Sequence, residues 1–272
     1  MVRCSQEIER TRVEPGSLAL WWLGQAGFAF KTPGGTVVYA DPYLSDAVQK
    51  SAGFKRLSRP PVEAEEVRAD VVVLTHEHGD HMDTDALPVI ARNNPECVFA
   101  APSGCGDGLD TAGVAPERRR LLSAGALCAA APGVSIHAAS ADHGSFSPSA
   151  VSVALDLAGV KVMLSGDTSW RPDLFAPLYA LGLDVLIPCI NGSYGNMGHI
   201  DAARCAAEAG ARIAIPCHFW TFAEQGAGDP LGFVAACRHF APGVTALLLS
   251  PGETLTVTHG SEGTGWHLGI PT

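Results

Sequence analysis

The chain has 272 residues, of which 47% are hydrophobic, so one large domain with a full core is expected. Its formal net charge of −10 argues against nucleic acid as a partner and against docking on anionic lipid. No apolar run approaches the roughly 18 residues of a membrane span, and the N-terminus lacks the apolar segment of a signal peptide. The 8 cysteines include no C-x-x-C pair, as is typical of reduced thiols, and we expect a cytoplasmic protein.

Along the first part of the chain, apolar segments separated by tight turns predict an antiparallel sheet. After a short helix within residues 5–11, strands are expected at residues 18–23, 28–31 and 36–40, because glycine-containing turns separate them. Residues 71–74, Val-Val-Val-Leu, predict a fourth strand, since this run is rich in β-branched residues and too short for a helix.

A dense group of potential metal ligands follows the fourth strand. His76 and His78 are two residues apart, so both imidazoles can reach one ion, whereas Asp80 and His81 come from the next turn and can reach a second. Imidazole and carboxylate ligands suit Zn²⁺, Mn²⁺ or Fe²⁺, and they suit a hydrolytic water better than a closed structural site. We therefore predict one or two divalent metal ions at this loop.

Two features that precede this loop have open roles. Asp41, which ends the third strand, is either a turn former before Pro42 or an acceptor that orients the histidine loop. Gln25, in the first turn, is a weaker candidate for lining the site. The basic segment from Lys50 to Arg59 is either a solvated loop or a rim that attracts an anionic substrate such as a sugar phosphate.

The middle of the chain supplies two further candidate ligands. An alternating strand at residues 134–139 ends shortly before His143, and a hairpin of residues 149–157 and 160–164 ends before Asp167. A carboxylate directly after a buried strand can bridge two ions, because its two oxygens diverge. The alternative role for Asp167 is an N-cap for the segment that follows.

The other predicted elements alternate short strands with helices. Helices are expected at residues 84–93, 174–181, 201–209 and 233–240. Strands are expected at residues 98–100, 184–189, 212–216, 246–249 and 254–258, the last two closing the second sheet. The charge run at residues 117–120 is predicted to be a solvated loop.

A glycine-rich loop at residues 191–199 is predicted to form a wall of the pocket, since no lysine follows it as in a phosphate-binding loop. Asn191, Tyr194 and His199 are candidates for contacting substrate or polarising a carbonyl, against ordinary loop roles and, for His199, a role at a helix start. His218 follows the strand at 212–216, and the adjacent Cys217 is expected to pack in the core.

The motif His76-Glu77-His78-Gly79-Asp80-His81 resembles the signature of the metallo-β-lactamase superfamily. Residues 18–46, 192–195 and 215–218 resemble pieces of the branch that contains the L-ascorbate-6-phosphate lactonases. The resemblance implies a single α/β (α+β) domain over residues 1–272, a four-layer αββα sandwich with one or two metals at the ends of its sheets. It implies a first metal site of His76, His78 and His143, and a second of Asp80, His81 and His218 with Asp167 bridging.

The function that follows is a metal-dependent hydrolase, in which a metal-bound hydroxide attacks an ester or lactone carbonyl. Asp80 is a candidate for holding a proton, and Tyr194 for stabilising the oxyanion. By resemblance, the substrate is a lactone of a small polar, sugar-like acid, either phosphorylated or not. The alternatives are a phosphodiesterase with the same two-metal centre, a β-lactamase or thioester hydrolase, and a non-catalytic ligand-binding protein. The choice among zinc, manganese and iron stays open, as does a homo-oligomer.

Overall fold

A computed structural model describes residues 3–223, 228–260 and 263–268 of the chain. Its strands are β1 (Ser17–Gly24), β2 (Gly27–Lys31), β3 (Val37–Ala40), β4 (Val71–Val73), β5 (Val98–Ala101), β6 (Arg119–Leu121), β7 (Leu127–Ala131), β8 (Val134–Ser140), β9 (Val151–Leu157), β10 (Val160–Leu164), β11 (Val185–Ile187), β12 (Ile213–Ala214), β13 (Thr245–Ala246), β14 (Thr254–Gly260) and β15 (Gly263–Leu268). Its α-helices are α1 (Cys4–Arg10), α2 (Ala47–Ala52), α3 (Ala86–Asn93), α4 (Gly106–Thr111), α5 (Pro172–Tyr179), α6 (His199–Ala209) and α7 (Pro230–Phe240). No helix in this described part has the length and apolar character needed to span a lipid bilayer.

The first sheet has the strand order β15-β14-β1-β2-β3-β4-β5-β6. Strands β1 to β3 pair antiparallel, so the predicted antiparallel opening is confirmed. From β3 to β6 the neighbours run parallel. Because parallel strands end at the same edge, the residues that follow β3 and β4, Asp41 and Thr75, lie side by side.

The second sheet has the order β13-β12-β11-β10-β9-β8-β7, and the predicted β9–β10 hairpin is confirmed. Strands β10 to β13 are parallel neighbours. Their carboxyl ends therefore share one edge of the sheet, where Asp167, Asn191 and His218 follow β10, β11 and β12 in turn.

Strand β1 shows how two apolar layers form around the first sheet. Its residues Leu18, Leu20 and Trp22 face a core that includes the second sheet and helices α5 and α6. The alternate residues Trp21 and Leu23 face a second core that includes helices α1, α3 and α4. Helices therefore cover the outer faces of two stacked sheets, and the predicted four-layer αββα sandwich is confirmed.

Two predictions about individual segments are wrong. Residues 254–258 do not close the second sheet, because β14 pairs antiparallel with β1 in the first sheet, with Thr258 opposite Ser17. Residues 117–120 are not a solvated loop, because part of the run forms the edge strand β6. The guanidinium of Arg118 instead donates to backbone carbonyls at the end of α3, at 2.7 Å from Asn94 O. All 8 cysteines are free thiols, as expected.

Candidate metal centre

The structure brings the seven predicted ligands to one edge of the sandwich, where four strands end. His76, His78, Asp80 and His81 follow β4, His143 follows β8, Asp167 follows β10 and His218 follows β12. His76, His81, His143, Asp167 and His218 are buried, whereas His78 and Asp80 are partly exposed. The cluster is thus fixed by the sheets on its inner side and open to a ligand on the side of His78 and Asp80.

Three histidines form the first group. Ring nitrogens of His76, His78 and His143 all lie within 4.8 Å of one another. Nδ1 of His78 is 3.0 Å from Nε2 of His76 and 3.3 Å from Nε2 of His143. Three imidazole nitrogens converging on one point match the ligand set of a catalytic zinc site with an open position.

Asp80, His81 and His218 form the second group, whose ligand atoms also lie within 4.8 Å of one another. Nε2 of His218 is 3.3 Å from Oδ2 of Asp80. Asp167 lies between the two groups, because its Oδ1 is 3.2 Å from Nε2 of both His81 and His218 and its Oδ2 is 3.9 Å from Nε2 of His143.

Two buried atoms of the cluster test whether a cation fits. Nε2 of His81 and Oδ1 of Asp167 have no hydrogen-bond partner among the described residues, although they face each other. Buried polar atoms are nearly always satisfied, and a divalent cation would satisfy both at once. The mixture of imidazole and carboxylate donors suits zinc, manganese or iron, so the residues fit the predicted metal.

Burial and neighbouring charge divide the ligands into two classes. Burial lowers the pKa of His76 and of His143, which keeps these imidazoles in the neutral form that binds metals. Burial would also lower the pKa of His218, but the nearby carboxylates of Asp167 and Asp80 outweigh it and raise that pKa to about 9. Without a metal, positive charge on this side of the cluster comes from protons, and a divalent cation can replace them.

Asp41 and Thr75 hold His81 in place from behind. Oδ2 of Asp41 accepts from Thr75 Oγ1 at 2.6 Å and lies 2.8 Å from His81 Nδ1. Its Oδ1 accepts from the Thr75 backbone N–H at 2.8 Å. A carboxylate at Nδ1 leaves Nε2, which faces the cluster, free to bind a metal. This geometry is that of the orienting acceptor, and not that of a simple turn former.

Two amides contact the carboxylates of the cluster. Nε2 of Gln25 donates to Oδ2 of Asp80 at 2.7 Å and lies 3.2 Å from Nε2 of His218, so Gln25 lines the site. Nδ2 of Asn196 donates to Oδ2 of Asp167 at 2.7 Å. Asn196 was not among the residues predicted to contact the site. Its position in the glycine-rich loop that follows β11 is the only local feature of the sequence that pointed to it.

Among the described residues, Tyr194 and Asn191 of the glycine-rich loop make no side-chain hydrogen bond to the cluster. Tyr194 is 49% exposed, and its ring meets that of Phe146, whose ring centroid in turn lies 5.8 Å from that of His143. Asn191 is buried, and neither polar atom of its side chain has a hydrogen-bond partner among the described residues. Tyr194 therefore lies at the rim of the cluster rather than in it.

His199 follows the glycine-rich loop at the start of a helix. It begins α6, and a Cβ added to Gly232 of α7 would lie 3.0 Å from its Cδ2. In the described part of the chain, no hydrogen bond, ion pair or ring contact joins it to the cluster. A catalytic role for His199 stays a prediction, and its position as the first residue of α6 is also that of the alternative role at a helix start.

Comparisons with known proteins agree with this geometry. Residues 26–219 match the family model for the β-lactamase superfamily domain. The chain is 32% identical over 262 residues to a UPF0173 metal-dependent hydrolase of Cupriavidus taiwanensis, a match that covers 88% of this chain and 86% of that protein. It is also 32% identical over 143 residues to a probable L-ascorbate-6-phosphate lactonase of Shigella boydii, covering 44% of this chain and 40% of that protein.

Among solved structures, the metallo-hydrolase Igni18 of Ignicoccus hospitalis has the same fold, with a TM-score of 0.67, 24% identity and coverage of 88% of this chain and 98% of that chain. The family model spans most of the chain, and the predicted ligands lie together at one edge of the sandwich. The chain therefore belongs to the metallo-β-lactamase superfamily, among its metal-dependent hydrolases.

Proposed function

We propose that the protein cleaves an ester or lactone bond of a small anionic molecule, with a phosphorylated, sugar-like lactone as the first candidate. The observation that carries this proposal is the pair of donor groups that meet at Asp167, one of three histidines and one of Asp80 with two histidines. A closed structural metal site needs neither a shared carboxylate nor partly exposed ligands, whereas hydrolysis at a metal needs an accessible side.

Bound cations would supply Lewis acidity and lower the pKa of water at the site. The chain's own residues do the rest. Asp80 is partly exposed and keeps its acceptor oxygen Oδ2 oriented through Gln25 Nε2, so we assign it the role of holding a proton as the leaving group departs. We assign Tyr194, whose ring meets that of Phe146, the role of contacting the substrate and limiting access of bulk water.

The substrate class rests on two observations. The probable L-ascorbate-6-phosphate lactonases give the ester or lactone bond, by similarity over part of the chain. The negative charge is proposed from the basic segment at 50–59, whose Lys50, Lys55, Arg56 and Arg59 border a cleft of about 690 Å³ that Asp46, Glu63, Glu65 and Asp85 also line. Lys50 is paired with Asp85 at 2.6 Å, whereas among the described residues no carboxylate forms an ion pair with Lys55, Arg56 or Arg59.

The partner proposed is thus a small molecule, not nucleic acid or a membrane, because the net charge of −10 repels polyanionic surfaces while local cations select a small anion. Eight free thiols suit a reducing compartment, and we extend the proposal to the cytoplasm.

Elemental analysis of the purified protein tests the proposal, beside the variants Asp80→Ala and Asp167→Ala. We expect about two ions per chain in the native protein, fewer in both variants, and hydrolysis of simple lactones that falls in parallel. Hydrolysis of bis-p-nitrophenyl phosphate without any lactone turnover would favour the phosphodiesterase. No stoichiometric metal after reconstitution with zinc, manganese or iron would refute the mechanism and leave a ligand-binding protein.

A further inference from the structure

A second, apolar cleft of about 540 Å³ is lined in part by the three residues that directly follow His218. Its walls include the side chains of Trp22, Leu57, Phe219, Trp220 and Leu249. Its volume falls within the range of small-molecule sites, which is roughly 300–1,000 Å³. A sugar phosphate has no apolar surface that would fill such a cleft, so the cleft calls for a different part of a ligand.

The cleft adjoins the cluster through the chain itself. Phe219 and Trp220 directly follow His218, and the backbone N–H of Gln25 donates to Oγ1 of Thr221 in the cleft wall at 3.1 Å. The side chain of the same Gln25 donates to Asp80. A molecule whose reacting group lies at the cluster can therefore extend past Gln25 into the cleft.

Two large apolar side chains at the cleft are exposed to solvent. Leu57 is 62% exposed and Trp220 is 61% exposed. Trp220 also has a φ of +56°, a left-handed backbone conformation that is strained for a non-glycine residue. An aromatic ring held exposed at such a cost, at the mouth of an apolar cleft, indicates a surface that a ligand covers.

Two arginines give the ligand a second property. Arg56 and Arg59 line both this cleft and the polar cleft described above. Arg56 donates to the neutral backbone oxygens Tyr43 O and Ser58 O and lies over the Tyr43 ring. In the ranges 3–223, 228–260 and 263–268, no carboxylate forms an ion pair with either arginine. Guanidinium groups in this situation favour a carboxylate or phosphate.

We propose that the cleft binds the apolar chain of the substrate and that Arg59, with Arg56 behind it, binds an anionic group on that chain. The substrate class is then an amphipathic ester or lactone with a medium-length apolar chain and a carboxylate. This inference rests on the proposed function for its reacting end, but the cleft itself is defined without it. Within the proposed class of small anionic esters and lactones, it favours a substrate that has an apolar half.

The test measures binding of saturated carboxylates to the metal-loaded protein by quenching of tryptophan fluorescence, from butanoate to decanoate below their micelle concentrations. We expect affinity to rise by up to fourfold per added methylene, the fold-change that corresponds to about 0.8 kcal/mol per buried CH₂. Leu57→Ala and Trp220→Ala should each weaken decanoate binding by about tenfold. Arg59→Gln should remove the preference for octanoate over octanol.

Leu121→Ala is the matched control, because Leu121 is 67% exposed on the edge strand β6 and lies outside the cleft. An affinity that does not depend on chain length, or an equal loss in Leu121→Ala, would overturn the proposal. Hydrolysis of γ-butyrolactone, γ-octalactone and γ-decalactone separates the two ideas. Turnover with no chain-length dependence of kcat/KM refutes the cleft alone, and chain-dependent binding without turnover refutes the ester hydrolase alone.

Discussion

The hydrogen bonds of Asp41 offer a test of how the second metal group is held. Asp41 is buried and accepts from the backbone and the side chain of Thr75, while its Oδ2 lies 2.8 Å from Nδ1 of His81. Replacing it with alanine leaves the Thr75 N–H and His81 Nδ1 buried without these partners. Hydrogen bonds to charged groups contribute roughly 1.5–3 kcal/mol each, so we expect Asp41→Ala to lower the free energy of unfolding by about 3–5 kcal/mol.

Asp41→Asn separates the effect on the metal from the effect on the fold. Its Oδ1 can still accept from the Thr75 N–H, and asparagine tolerates the φ of +42° found at this position. Its amide nitrogen then faces Nδ1 of His81, which must become an acceptor, so the ring proton moves to Nε2. Because Nε2 faces Asp167, that histidine can no longer bind a cation. We expect a metal affinity lower by about 10–100-fold, with a smaller loss of stability than in the alanine variant.

Competition with a chelator of known affinity measures the metal, and urea unfolding measures the stability. Asp70→Asn is the control, because Asp70 precedes the same strand β4 at its other end and accepts from the Val37 N–H at 2.8 Å. It should change neither metal affinity nor, by more than about 1 kcal/mol, stability. Retention of native metal affinity by Asp41→Asn would refute the tautomer argument.

Three further outcomes are expected. Gly166→Ala should lower the free energy of unfolding in urea by about 1–3 kcal/mol, since Gly166 has a φ of +62° and an added Cβ would lie 3.0 Å from Thr75 Cβ. Gly53→Ala should lower it less, because Gly53 has a φ of +80° but open space around it. Asp83→Ala should lower the free energy of unfolding by about 3–5 kcal/mol. The carboxylate of Asp83 accepts from the backbone N–H groups of Leu44, Ser45 and Ala86, and these donors would lose their partner. Removal of the metal by a chelator should abolish hydrolysis and lower Tm. Metal added at 1,000 times its Kd should restore about 4 kcal/mol of the free energy of unfolding, whereas a Tm that does not change on chelation would show that no ion is bound.

The histidine motif and the ends of the strands could be predicted from the sequence because each depends only on neighbouring residues. Val71 to Leu74 can only be a short buried strand, and a ligand loop after such a strand follows from its own residues. The bond between Asp41 and Thr75 needed one more step, the parallel pairing of β3 and β4. The contact of Asn196 with Asp167 could not be predicted from the sequence, because it depends on the conformation that the loop adopts in the fold.

The wrong partner for β14 has the same origin. Residues 254–258 carry the alternation of a strand, but nothing in them says which sheet edge they join. The choice depends on β1, whose edge is open until β14 pairs with it, and the paired residues Ser17 and Thr258 are 241 positions apart in the chain. The alternation of apolar and polar residues predicts that a segment is a strand, whereas the strand it pairs with depends on which sheet edge the rest of the fold leaves open.

Backbone strain connects the fold to the site. Among the described residues, six that are not glycine have positive φ, and Gln25, Asp41 and His218 are three of them. Gln25 donates to Asp80, Asp41 lies within hydrogen-bond distance of His81, and His218 is itself a predicted ligand. Glycine would relieve the strain, about 1–3 kcal/mol at each position, but it has no side chain to make these contacts. The sandwich therefore tolerates a less stable backbone at the strand ends because those residues must aim specific atoms at the metal, and stability and function conflict at these positions.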